Sequence, residues 1–305
     1  MKLGREISGD GRFVRQPNRF TNRIEPDSPY PPGPGRYHLY ASYACPWAQR
    51  SLIVRQLLGL EDIIGLTVVD PIRDDKGWRF TLSPGDRDPV TGASYLSELY
   101  HATDPEYFGR YTVPCIWDTQ TERLVTNDYP QLTITLETAF APWHAAGSPD
   151  LYPSRLRRDI DAMNDWLYGG INNAVYEAGF SRNQQKYEDA VTRVFTTLDR
   201  LEERLTTHRF LHGDQLTDSD VRLYTTLARF DPVYYSHFKC SIRRLTDYPA
   251  LWAYARDLYQ RPAFHNTTDF DQIKRHYFIT QTNVNPSQVV PVGPALDWDA
   301  PHGRG

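Results

Sequence analysis

The sequence predicts a mixed α/β domain followed by an all-helical domain. Three observations carry that prediction. Residues 37–69 set a helical stretch between two short apolar, β-leaning runs. A cysteine, Cys45, stands where the first of those runs meets the helix. Beyond a proline-bearing break at 141–153, the apolar residues repeat at helical spacing. A chain of 305 residues suits two domains, and 40% hydrophobic with 24% charged residues is ordinary globular composition. The formal net charge of -4 leaves no electrostatic footprint for a nucleic-acid partner.

In chain order, residues 1–36 read as an extended and poorly structured arm, because Pro26, Pro29, Pro31, Pro32 and Pro34 forbid a helix or a central strand. A strand is expected over Tyr37–Ser42, a helix over Pro46–Leu58 and a buried parallel strand over Ile63–Val69, together a βαβ unit. The polar stretch 70–109 reads as an insertion, and its alternating charges from Asp70 to Asp88 suit a solvated loop. Trp78 within it either serves a ligand or pins the loop to the core. Tyr111–Asp118 reads as a strand with Pro114 near its start, and Glu122–Thr126 as its hairpin partner. Asn127-Asp128 then caps a helix over Tyr129–Phe140, with Pro130 in its first turn. The order β-α-β-insertion-β-β-α over 37–140 is that of a thioredoxin-like domain.

After the 141–153 linker comes a helical domain over 154–278. Leu156, Ile160, Met163 and Leu167 form one apolar stripe, and Tyr187, Val191, Val194, Leu198, Leu201 and Leu205 form another. Thr217-Asp218-Ser219-Asp220 resembles a capping box with Asp in place of Glu. Pro249 opens a further helix and Pro262 closes it, and 279–305 is an irregular tail.

The chemistry concentrates at Cys45. Pro46 at the first helical position would leave the thiol facing the unpaired N–H groups of the helix, which favour thiolate, the nucleophilic form. Where a Cys-x-x-Cys motif has its resolving cysteine, this chain has Ala48, so a mixed disulfide at Cys45 needs an external thiol to release it. The plainer alternative is an inert cysteine packed before a helix. The other two cysteines, Cys115 and Cys240, are distant, so no disulfide framework forms and a reducing cytoplasm fits. No metal-ligand spacing is present: His237-x-x-Cys240 is an isolated, structural pair. No signal peptide or membrane span is evident.

Several blocks, taken in order, resemble the glutathione transferases, and within them the xi class, the glutathionyl-hydroquinone reductases. They are Ala44-Cys45-Pro46-Trp47-Ala48, Gly77-Trp78-Arg79-Phe80, Gly109 to Pro114, Ile171 to Phe180, Arg229 to Tyr234, His237 to Cys240, Ile273 to Tyr277 and Asn285-Pro286-Ser287. The resemblance implies a homodimer, each chain with a thioredoxin-like thiol-binding domain followed by a helical substrate domain. It implies that Cys45 is the nucleophile, that Pro114 is a cis-proline, and that the Val113 backbone, Trp78 and Arg110 hold the thiol. Tyr176 and Tyr277 would line the quinone pocket, against the alternative of core or interface phenols. The family's usual Glu-Ser, which grips the γ-glutamyl end of glutathione, is here Asp128-Tyr129. That departure opens the choice between glutathione and mycothiol as cosubstrate. No permanently bound cofactor is expected.

The reading is a cysteine-type thiol transferase that reduces S-conjugated hydroquinones. Its competitors are a general disulfide or dehydroascorbate thioltransferase and a non-enzymatic binder of aromatic ligands.

Overall fold

The computed structural model describes residues 6–304. The chain forms two compact units. One is residues 17–149; the other is residues 150–304 together with residues 6–16.

The first unit is built on a four-stranded sheet in the order β2-β1-β3-β4. Its strands are β1 (Tyr37–Ala41), β2 (Gly65–Val68), β3 (Cys115–Asp118) and β4 (Arg123–Thr126). Strand β1 runs parallel to β2 and antiparallel to β3, which pairs antiparallel with β4. All five residues of β1 are buried, as an apolar central strand requires. Helix α1 (Pro46–Leu57) follows β1 directly, with proline at its first position. Strand β3 begins only after Pro114, because proline cannot donate to the ladder.

The insertion at 70–109 is more ordered than a solvated loop. It carries helix α2 (Leu96–Thr103), whose Leu96, Leu99 and Tyr100 face inward. The Glu98 carboxylate accepts the N–H groups of Ser94 and Tyr95 at 2.9 and 2.8 Å and so caps the helix. Eight residues carry too little periodicity to announce such a helix. Asp88 does not lie on a solvated face either. It is buried, and its carboxylate accepts the hydroxyls of Tyr40 on β1 at 2.7 Å and of Thr67 on β2 at 3.1 Å. A buried carboxylate is tolerated when its lone pairs are filled, and here it ties the insertion to the sheet.

The described part of the N-terminal arm, residues 6–36, forms no helix and is docked rather than loose. Phe13, Phe20 and Ile24 are buried. The Phe20 ring meets Tyr100 and Tyr107 at centroid distances of 5.4 and 5.6 Å. Thr21 bridges antiparallel to Thr126, so the arm continues the sheet beyond β4. Isolated apolar anchors among polar and proline residues leave no periodic signal, which is why composition alone suggests disorder.

Helix α3 (Tyr129–Thr138) lies beside α1 and completes this unit. The second unit is helical: α4 (Arg157–Leu167), α5 (Ala174–Phe180), α6 (Gln184–Leu205), α7 (Asp218–Arg229), α8 (Pro249–Tyr259), α9 (Pro262–His265) and α10 (Phe270–Thr280). Every residue of α7 is buried, and Thr217 with Asp220 forms the anticipated capping box at its start. Two π-helical turns interrupt the α-helical pattern, Tyr168–Asn172 before α5 and Phe230–Tyr234 after α7. The C-terminal tail is irregular but fastened. Trp298 is buried against Trp252 at 4.7 Å, and Arg304 donates to the carbonyls of Leu205, His208 and Arg209 at 3.0, 2.6 and 2.9 Å. Among the described residues no helix is long and apolar enough to cross a membrane.

Phe20→Ala is expected to cost about 3 kcal/mol, the low end for a buried phenylalanine. Urea unfolding and limited proteolysis of the arm report it. An unchanged midpoint and an unchanged cleavage pattern would show that the arm is not part of the folded unit.

Candidate active site

Cys45 is the N-cap residue of α1. Its backbone is extended, at φ -85° and ψ 118°, and its carbonyl accepts the Gln49 N–H at 2.9 Å. The side chain makes no capping bond to its own helix. Instead the S–H donates to the Val113 carbonyl at 3.4 Å. Val113–Pro114 is a cis peptide bond. The three cysteines are free thiols, and only Cys45 is partly exposed. Cys115 and Cys240 are both 0% exposed. Burial pushes the Cys115 thiol far up and the Cys240 thiol up to about 12. Neither is fit to serve as a nucleophile near neutral pH.

The strand of backbone that faces Cys45 is held from behind. The Tyr100 hydroxyl donates to the Thr112 carbonyl at 2.7 Å. Asn127 donates through Nδ2 to the Tyr100 hydroxyl at 3.2 Å and to the Thr112 hydroxyl at 3.1 Å. Helix α2 and Asn127, at the junction of β4 and α3, thus fix Thr112, the residue before Val113. Arg110, in the same loop, is half-buried, and its carbonyl accepts the Tyr107 hydroxyl at 2.7 Å.

Trp78 is 3% exposed. The Arg73 guanidinium lies 4.7 Å from the centre of its ring, and its carbonyl accepts the Leu96 N–H at 2.9 Å, where α2 begins. The indole is therefore buried, with Arg73 of the same insertion against its ring.

Asp128 precedes α3 but makes no side-chain capping bond. Its carboxylate accepts Asn18 Nδ2 at 3.2 Å and Arg23 Nη1 at 3.0 Å, both from the arm. Sequence reasoning did not implicate Asn18 or Arg23; a lone arginine in a proline-rich arm gives no signal. The Tyr129 ring lies 4.6 Å from that of Trp47, two residues beyond Cys45.

In the helical unit, Tyr176 on α5 and Tyr277 on α10 are brought together. Their hydroxyls are 2.5 Å apart. A third phenol, Tyr234, stands 3.4 Å from Tyr176 and 3.2 Å from Tyr277, hydroxyl to hydroxyl. Tyr234 closes the second π-helical turn. It lies inside the Arg229 to Tyr234 stretch that resembles the xi class, and that stretch is its signal in the sequence. Burial, reinforced by the neighbouring Tyr176 phenol, holds Tyr234 and Tyr277 well above the ordinary phenol range. They stay protonated and able to donate.

Aromatic stacking sets the triangle. Phe238 lies parallel to Tyr234, centroids 5.5 Å apart at 6°. Gly179 makes room, since a Cβ there would come within 2.1 Å of the Phe238 ring. His237 pairs with Gln281 at 2.9 Å rather than with Cys240, and burial lowers its pKa to about 4. It is a neutral structural residue, as the isolated spacing suggested.

Two family descriptions match the chain: "Glutathione S-transferase, N-terminal domain" over residues 44–139 and "Glutathione S-transferase, C-terminal domain" over 184–257. Glutathionyl-hydroquinone reductase YqjG of Escherichia coli is 44% identical over 97% of this chain and 93% of its own length. The chain belongs to the glutathione transferases, in their xi class.

Like its relatives, this transferase is an enzyme. Glutathionyl-hydroquinone reductase PcpF of Sphingobium chlorophenolicum is 42% identical, covering 94% of this chain and 91% of its own. The crystal structure of the xi glutathione-S-transferase from Phanerochaete chrysosporium superposes with a TM-score of 0.90 at 46% identity, over 93% of this transferase and 98% of that chain. The glutathione-bound structure of YqjG superposes with a TM-score of 0.89 at 43% identity, over 94% and 96%.

Native protein exposed to iodoacetamide at pH 8 should label at Cys45 alone. Peptide mass mapping reads this out. Equal labelling of Cys115 or Cys240 before unfolding would contradict their burial.

Proposed function

We propose that this transferase reduces S-conjugated hydroquinones through a mixed disulfide at Cys45. The observation that carries the reading is Cys45 itself. It is the one partly exposed cysteine, placed at a helix start, with Ala48 where a resolving thiol would stand. Cys45 thiolate attacks the conjugate's sulfur. A sulfur–sulfur bond forms, the sulfur–ring bond breaks, and the ring carbon gains a proton. The ring is thereby reduced by two electrons and the two sulfurs are oxidised. A second thiol molecule then attacks the disulfide, restores Cys45 and leaves as the symmetric disulfide.

Different residues serve the two substrates. In this reading the Val113 backbone, presented beside Pro114, together with Trp78, Arg110 and Asp128, binds the thiol. Tyr176 and Tyr277 donate to the hydroquinone oxygens as negative charge develops there. The raised pKa of Tyr277 supports that role, because a protonated phenol is the donor that such an oxygen needs. Retention of a partly exposed thiol argues against a passive binder. Three converging phenols argue against a general disulfide exchanger, which has no use for them.

The cosubstrate is glutathione or a thiol of related build. Asp128 can meet the γ-glutamyl ammonium, at shorter reach than glutamate. Tyr129 offers no small hydroxyl for the γ-glutamyl carboxylate, and its ring can instead lie against a sugar. Losing one charge-assisted hydrogen bond costs about 1.5–3 kcal/mol, roughly ten- to a hundredfold in affinity. The site is therefore expected to favour a sugar-bearing thiol such as mycothiol.

Incubation with a glutathionyl-hydroquinone and excess thiol tests the whole reading. Cys45→Ser should abolish turnover, with Cys115→Ser active. Tyr277→Phe should lower kcat for the conjugate with the thiol KM unchanged, and equal loss for simple disulfide substrates would favour the general thioltransferase instead. For the thiol, kcat/KM with glutathione equal to or above that with mycothiol defeats the mycothiol preference and leaves the cysteine mechanism intact.

A further inference from the structure

The arm brings a cation to a carboxylate that the reading above gives to the thiol. Arg23 Nη1 lies 3.0 Å from Asp128 Oδ2, with the carboxylate side chain 15% exposed and the guanidinium side chain 42% exposed. Asn18 Nδ2 reaches the other oxygen, Oδ1, at 3.2 Å.

Backbone pairing fixes the register of this contact. Thr21, between the two donors, bridges to Thr126. The Phe20 N–H donates to Asn127 Oδ1 at 3.1 Å, and the Asn127 N–H donates to the Phe20 carbonyl at 3.0 Å. The Asp128 N–H donates to the Thr126 hydroxyl at 3.0 Å. Asn127 and Phe20 are both buried. Residues 18 and 23 are therefore presented to Asp128 from a paired strand and not from a free tail.

We propose that Arg23 sets the charge preference of the thiol site: paired with Asp128, it selects against thiols whose distal end carries an ammonium and for thiols whose distal end is neutral. The proposal rests on the assignment of Asp128 to the cosubstrate. An ammonium that approaches Asp128 meets a guanidinium already on the same carboxylate. The pair is neutral as a whole, so the attraction is largely cancelled and the two cations repel. A neutral hydroxyl meets no such repulsion. It can donate to the lone pairs that Asn18 and Arg23 leave, since a carboxylate offers about four acceptor positions. Partial exposure of Arg23 screens the repulsion and limits the effect to about fivefold.

The experiment varies the thiol at a fixed concentration of aromatic conjugate and low ionic strength. It compares glutathione with its des-amino analogue, in which hydrogen replaces the ammonium. Arg23→Gln should lower KM for glutathione about fivefold, with the change carried by KM rather than kcat. The same variant should not lower KM for the des-amino thiol, and Arg23→Lys should keep the parent values. Asp128→Asn should raise KM for glutathione, since it leaves the Arg23 charge facing the ammonium. An equal change for both thiols in Arg23→Gln, or none for glutathione, overturns the proposal. If Asp128→Asn also leaves both KM values unaltered, the assignment of Asp128 to the thiol falls with it. If Asp128→Asn acts on glutathione alone while Arg23→Gln does nothing, only the role of Arg23 is lost.

Discussion

The contact between the Cys45 sulfur and the Val113 carbonyl organises the first unit around one thiol. A cysteine side chain at a helix N-cap has only local freedom, so its surroundings are decided by what faces it. Here that is a peptide which cannot move independently. Thr112 is held through its carbonyl by Tyr100 and through its hydroxyl by Asn127. Tyr100 belongs to the insertion, Asn127 to the junction of β4 and α3, and the arm rests on Asn127 through Phe20. Three segments distant in sequence thus converge on Thr112, the residue before the carbonyl that the sulfur meets. The proline at the start of α1 and the four-stranded sheet place the sulfur opposite that carbonyl.

The helical unit solves a different problem, the placing of three hydroxyl groups in an apolar interior. An isolated buried phenol without a partner is costly, whereas three that satisfy one another are not. Tyr176, Tyr234 and Tyr277 come from α5, from the π-helical turn after α7 and from α10, so the triangle depends on the packing of all three elements. Phe238 and Gly179 set its dimensions, one by stacking and the other by leaving space. A site made in this way keeps its hydroxyls protonated without an external base, which suits donation to a substrate oxygen.

Much of this was legible in the sequence, for reasons that differ by element. The run into Cys45 and the proline after it specify strand, cap and helix locally, so the setting of this cysteine could be read residue by residue. Tyr176 and Tyr277 are separated by 101 positions, and only resemblance to a family could pair them. Three features stayed hidden. Helix α2 is too short for periodicity. Asp88 looks like a loop charge until its buried partners on β1 and β2 are seen. The arm's anchors are single apolar residues among prolines, and Arg23 acquires meaning only when Thr21 pairs with Thr126. For Asp88 and the arm the deciding partner is far away along the chain, where propensity and pattern say nothing.

The central claim is that Cys45 takes the thiol from the aromatic conjugate. A single-turnover reaction without free thiol tests it most directly. Enzyme and glutathionyl-hydroquinone are mixed in equal amounts, and intact mass, peptide mapping and released hydroquinone are followed together. The account predicts one equivalent of hydroquinone, formed in step with one glutathione adduct on Cys45 that dithiothreitol removes. Hydroquinone released with Cys45 unmodified, or released equally by Cys45→Ser, would contradict it.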